Sequence, residues 1–154
     1  MGAFFDKAGG QNMASNQRRA MKLFLTIATL IYGVVPAIAD LNETHLFNPH
    51  WSPHARLHGA WFLFFGFAMA MLSLYLAWVR DGLVLPSVIG LLFSVCFWMA
   101  YLTAPFYGGA LVDENGIEGP VLGIEANVFT FSLVTAAFVV LLMYALKTRW
   151  VGKS

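Results

Sequence analysis

Three stretches of this chain, Leu23–Ala39, Gly59–Val79 and Leu83–Thr103, contain no charged residue, and a fourth, Val121–Leu146, contains only Glu125. A bilayer core takes about 20 mostly apolar residues per helix. None of the four stretches alternates with the period of two that a membrane β-barrel needs. The fold they specify is all-α: an integral membrane, antiparallel four-helix bundle with spans near 23–39, 59–79, 83–103 and 121–146. The short Arg80–Asp81–Gly82 link makes the second and third spans antiparallel neighbours. Composition agrees, because 59% of residues are apolar and 11% are charged, whereas soluble domains average about 25% charged. The net charge of +1 argues against a nucleic-acid partner, which selects strongly basic chains. The single cysteine, Cys96, excludes an intrachain disulfide and thiol-rich metal motifs.

The positions of the charges orient the bundle. Lys7, Arg18, Arg19, Lys22, Arg80, Lys147, Arg149 and Lys153 fall on one side, and only Arg56 falls on the other. By the positive-inside rule, both termini are then cytoplasmic. Asp40, Glu43, Asp113, Glu114, Glu118 and Glu125 gather on or near the opposite side. Trp51, Trp61, Trp98, Tyr101 and Tyr107 mark the outer interface, and Trp78, Tyr144 and Trp150 the inner one, as amphipathic rings do. This layout suits a bacterial inner membrane, with the segment after Asp40 facing the periplasm. An alternative treats the first span as a leader cleaved after Ala37–Ile38–Ala39, which leaves three spans. Residues 1–20 are polar and rich in Gly, Asn and Gln, and read as a flexible cytoplasmic tail (Met1–Gln17) running up to a membrane domain at 21–150. Small residues spaced four apart (Thr29/Gly33/Ala37, Gly66/Ala70, Gly90/Ser94, Ser132/Ala136) allow close helix approach.

All four histidines, His45, His50, His54 and His58, lie in one outer window. Ser52–Pro53 reads as an N-cap followed by proline at the first helical position. A helix starting there places His54 and His58 at i and i+4 on one face. Two imidazoles so placed suit zinc, copper or iron. A third ligand from His50, His45 or Glu125 completes a metal site, with Arg56, Asp40 and Glu43 in support. A structural reading stands beside it, in which the histidines hydrogen-bond loop carbonyls and Arg56 pairs with Glu125 or Asp40. A third reading is proton transfer, with His58 or His54 as acid–base and Glu125 as charge partner. The His-Glu-x-x-His and Glu-x-x-His patterns of zinc proteases and di-iron bundles are absent. The third and fourth spans lack histidine, which disfavours haem.

The glycine-rich segment Ala104–Pro120 faces the histidine window, so the two loops form a lid over the outer mouth. A lipid or quinone then enters sideways between aromatic-rich helices, with Trp61, Phe62, Phe64, Phe65 and Phe67 as lining candidates; lipid-facing packing is the plainer role for these rings. Asn42-Glu43-Thr44 forms a glycosylation sequon, relevant in a eukaryotic secretory pathway.

The run Asn42 to His58, following Pro36-Ala-Ile-Ala-Asp40, resembles the signature of a family of small bacterial and fungal multi-span membrane proteins of unknown function. Its Thr-His-x-Phe-Asn-Pro and Pro-His-Ala-Arg-x-His elements match at Thr44–Pro49 and Pro53–His58. The resemblance covers the first two spans and their loop. It implies a four-span fold with His45, His54, Arg56 and His58 in the motif, and leaves the position of His50 open. The layout is loosely similar to four-span sterol-isomerase-like and quinone-linked proteins, whose catalytic motifs do not match here. Three functions follow as expectations. The outer His/Arg/Glu cluster binds a metal ion or a polar headgroup. Alternatively, the chain is a non-catalytic accessory subunit, assembling with a membrane partner or itself. Or it is an isomerase- or oxidoreductase-type enzyme on a lipid-like substrate.

Overall fold

The computed structural model describes the backbone of residues 2–112 and 120–151, and side chains within 13–112 and 120–148. Asp113, Glu114 and Glu118 lie outside the described residues, as do the side chains of Lys7, Arg149, Trp150 and Lys153. The chain is all-α: α1 (Gly2–Gly33), α2 (Val35–Ala39), α3 (Pro53–Trp78), α4 (Val84–Thr103) and α5 (Ala126–Val151), with a 3₁₀ turn at Ala104–Phe106. Four helical segments are long and apolar enough to cross a membrane: Met13–Ala39, Pro53–Trp78, Val84–Phe106 and Ala126–Thr148. The first is longer than hydropathy suggests. The stretch expected as a flexible tail is helical backbone from Gly2 onward. Met, Ala, Gln, Arg and Lys dominate its later half and favour helix, which carries the span's helix back into polar sequence.

α1 breaks at Val34, two residues before Pro36, which stands where the donor to the Tyr32 carbonyl would be. Proline has no N–H to bond Tyr32 and its ring crowds that carbonyl. α2 therefore starts as a separate short helix with proline in its first turn. The break lies beside a close helix crossing. Gly33 and Tyr32 are buried, and a Cβ on Gly33 would run into the Ala70 methyl of α3. Gly90 of α4 likewise leaves the space that the buried Phe138 ring of α5 occupies. The small residues noted in the sequence thus set backbone approach at these two crossings. Around them, Leu25, Ala28, Tyr32, Ala70, Val134, Phe138 and Leu141 form the core.

Polar groups join the helices between these apolar layers. Tyr32 Oη and Ser73 Oγ are 3.1 Å apart. Trp78 Nε1 donates to Thr26 Oγ1 at 2.9 Å, and Trp98 Nε1 to Thr135 Oγ1 at 2.9 Å. Each bond ties two helices, and the buried Tyr32–Ser73 contact does so where water offers no competing partner.

One end of the bundle is closed by charge. Asp81 occupies the left-handed region at φ +53°, a conformation short polar side chains tolerate. The Gly82 N–H returns to the Leu76 carbonyl at 2.8 Å. Lys22 Nζ lies 2.5 Å from Asp81 Oδ1, Arg18 Nη2 lies 3.2 Å from Oδ2, and Arg18 also donates to the Asp81 carbonyl. The Lys22 hydrogen bond, aided by Arg18 and opposed by slight desolvation, holds the Asp81 carboxyl below the usual carboxylate range. Arg18, Asp81 and Thr148 line one small cavity, so the tight α3–α4 turn, the polar part of α1 and the end of α5 meet here.

Candidate functional site at the histidine end

The opposite end is built from the loop after α2. Asp40 closes α2, its N–H donating to the Pro36 carbonyl. Asn42 then organises the turn. Its Nδ2 donates to the Ala39 carbonyl at 2.7 Å, and its Oδ1 accepts from the Thr44 N–H at 2.9 Å and the Thr44 hydroxyl at 2.7 Å. The sequon asparagine thus uses its amide within the loop. Asn48 is the second organiser and is buried. Its Oδ1 accepts from the His50 N–H at 2.9 Å, and its carbonyl accepts from Arg56 Nη2 at 3.0 Å. Arg56 thereby fastens the loop to the first turn of α3. That turn starts as its sequence dictates, with Ser52 Oγ accepting from the Ala55 N–H at 3.1 Å and Pro53 following.

The structure brings some of the expected residues together and separates others. His54 and His58 share a face, with their Nε2 atoms 3.1 Å apart and rings edge-to-face. Both are exposed, and His58 lies beside Trp61. His50 is exposed and enters the loop through its backbone, and Glu43 is exposed. Among the described residues, no group of three or more His, Cys, Asp or Glu side chains is placed to hold a metal ion.

Glu125 has a different position from the one hydropathy gives it. It does not sit a turn inside the fourth span, because α5 begins only at Ala126. Its carbonyl accepts from the Phe129 N–H at 2.9 Å, and its Oε2 accepts from the Val128 N–H at 3.0 Å. This is N-cap geometry, in which the carboxylate satisfies a helix donor and faces the positive end of the helix dipole. The four residues before it, Val121–Ile124, form a tight turn with reciprocal backbone bonds of 2.8 and 3.0 Å. Leu122 and Gly123 both have positive φ there, 53° and 79°, as a type I′ turn requires.

His45 and Asp40 have the more enclosed setting. They line a cavity of about 530 Å³ at this end of the bundle, walled by Phe62, Phe93 and Phe97 and also touched by Asn127, Thr130 and Cys96. That volume lies within the range of small-molecule sites, about 300–1,000 Å³. His45 Nε2 stands 4.0 Å from Asp40 Oδ1, and His45 Nδ1 is 2.8 Å from Thr44 Oγ1. The Thr44 hydroxyl also bonds Asn42 Oδ1 at 2.7 Å, so the Nδ1 edge of His45 is tied into the loop. Of the aromatic candidates, Phe62 lines this cavity, while Trp61, Phe64, Phe65 and Phe67 are exposed on the outside of the bundle. Sequence reasoning passed over Asn127 and Thr130. Their i, i+3 spacing in the first turns of α5 puts them on one face.

Four long apolar helices, with a polar-ended cavity at one end, define a small multi-span membrane protein. The chain belongs to the family described as "Family of unknown function (DUF6640)", whose model matches residues 24–152. No curated protein and no solved structure matches it.

Proposed function

We propose that this protein is a cytoplasmic-membrane protein that binds a lipid-like molecule at its histidine end, with the polar head against Asp40, His45, Asn127 and Thr130 and the apolar part among Phe62, Phe93 and Phe97. The cavity of about 530 Å³ with polar groups gathered at one rim carries this reading. An apolar site with a few convergent polar groups is the usual form of a small-molecule pocket. The distribution of basic residues supports an orientation with both termini cytoplasmic and this rim on the outer side. Headgroup binding is therefore assigned to Asp40 and His45 in preference to the exposed His54–His58 pair.

Native mass spectrometry of the protein purified in mild detergent tests the reading. The wild type carries a small apolar adduct, and Thr130→Trp, which fills the cavity, loses it. An adduct equally abundant in the filled variant would contradict the assignment.

One observation keeps metal binding as a second reading. The 3.1 Å between His54 Nε2 and His58 Nε2 is compatible with both nitrogens meeting one ion at about 2.0–2.1 Å. Such an ion takes its remaining ligands from water or a second molecule, since Glu125 is engaged at the α5 terminus. Zinc or copper titration by calorimetry, lost in His54→Ala and His58→Ala, is the expected result; binding unaffected by either change removes the reading.

A further inference from the structure

The two faces of α3 differ in character. Leu63, Gly66, Ala70, Ser73 and Ala77 are buried in the bundle. On the other side, Trp61, Phe65, Ala68, Leu72 and Tyr75 are all exposed. They follow His54 and His58 in alternating steps of three and four residues, so all lie in one stripe with the histidines at its head. Such steps are the spacing with which two parallel helices pack side by side, and left-handed pairs of this kind predominate in membranes.

The histidine pair is half of a metal site. His54 Nε2 and His58 Nε2 stand 3.1 Å apart. With each at about 2.0–2.1 Å from one ion, the angle at the metal is roughly 100°, close to tetrahedral. Both side chains are exposed, so the rings are free to turn toward a shared ion. Structural zinc takes four protein ligands in a tetrahedron, whereas copper(II) favours a square-planar set. Among the described residues, no third His, Cys, Asp or Glu side chain joins these two.

A second copy supplies what is missing. Copies inserted with the same orientation hold equivalent atoms at the same depth, and a two-fold axis along the membrane normal packs the stripe of one against the stripe of the other. The two histidines of each copy then meet at the axis. The apolar rings below do not drive the pairing, because lipid is equally apolar; the affinity comes from the ion. The positive end of the α3 dipole opposes a cation by at most about fivefold. That is less than the roughly 10–100-fold that even an outer-shell partner is worth at a metal site.

We infer that His54 and His58 bind zinc across a dimer, with one Zn²⁺ held by both imidazoles of each of two copies packed along the exposed stripe of α3. This rests on the metal reading of the pair, and it adds the metal and the partner that completes its coordination.

Native mass spectrometry and light scattering of the full chain in mild detergent, first with chelator and then with zinc chloride, test the inference. The protein is monomeric with chelator. Zinc converts it to a dimer carrying one ion. Free zinc at about a hundred times its dissociation constant raises association about a hundredfold. His54→Ala and His58→Ala stay monomeric at the same zinc concentration. Both unfold at the wild-type temperature in chelator, because both side chains are exposed. Ala68→Trp leaves the ligands in place but thickens the stripe, and weakens the zinc-dependent dimer about fivefold or more.

The outcomes separate the claims. Zinc bound to each monomer without association overturns the shared site and leaves the metal reading standing. A wild type that binds no zinc overturns both. A dimer unchanged by chelator, or a zinc-dependent dimer that survives both histidine substitutions, overturns the bridge. Undiminished association in Ala68→Trp overturns the packing along α3.

Discussion

The two ends of this bundle use polar residues in opposite ways. At the Asp81 end, polar and charged groups are spent on each other: Lys22 and Arg18 converge on one carboxylate and pin a three-residue link against α1. At the histidine end, the polar groups organise a loop and line a cavity. The difference follows from connection length. A link as short as Arg80–Asp81–Gly82 brings α3 and α4 together and leaves no room between them. The longer loop from Asp40 to Ser52 follows the break at Pro36 and covers the other end of the bundle. Charge at the first end therefore speaks to stability, and at the second to binding.

The largest effect expected from breaking this contrast comes from the waist that both ends share. Gly33→Leu forces a side chain into Ala70. Overpacking costs about 1–3 kcal/mol, and the substitution should lower the thermal unfolding midpoint in detergent while disrupting both ends together. Glu125→Ala comes next. It removes the cap from α5 at the histidine end, for about 1 kcal/mol, and Glu125→Asn restores most of the loss in chemical denaturation. A failure of asparagine to rescue would indicate a role beyond capping.

Asp81→Asn has a smaller effect because the carboxylate is 64% exposed; exposed ion pairs contribute about 0–1 kcal/mol. The sign of its pH dependence is fixed. The folded-state pKa is lowered, so the stabilisation is present above the unfolded value of about 3.9. It is lost as pH falls through the lowered folded value. The wild type and Asp81→Asn should converge in stability at low pH, and also at high salt. The smallest effect belongs to His54→Ala, an exposed position, with a change within about 0.5 kcal/mol in thermal unfolding without metal. Equal losses in His54→Ala and Glu125→Ala would erase the distinction drawn within the histidine end.

The existence of four long apolar helices, the antiparallel α3–α4 pair, the start of α3 at Ser52–Pro53 and the shared face of His54 and His58 were legible in the sequence. Each rests on local signals: unbroken apolar runs, a cap with proline after it, and a spacing of four. Glu125 was misplaced because Val121–Ile124 is as apolar as the helix behind it, and hydropathy does not register that Leu122 and Gly123 turn the chain. The α1 helix was read as too short because its N-terminal half is polar yet helix-favouring. The cavity was beyond local reading. Its rim joins Asp40 and His45, from one loop, to Asn127 and Thr130, some eighty residues later, and only the break at Pro36 and the packing of α5 on α1 bring them together. Asn48 is the buried organiser whose carbonyl Arg56 grips, a role with no local signal in the sequence.

The central claim is that the cavity at the histidine end binds a lipid-like molecule with its polar head against Asp40 and His45. A crystal structure grown in a monoolein mesophase tests it most directly, because monoolein is itself a single-chain amphiphile with hydroxyl groups. The account predicts lipid density in the cavity among Phe62, Phe93 and Phe97, ending in a hydroxyl within about 3.0 Å of a polar atom of Asp40 or His45. A cavity filled by the protein's own side chains, or a lipid bound with its head away from Asp40 and His45, would contradict it.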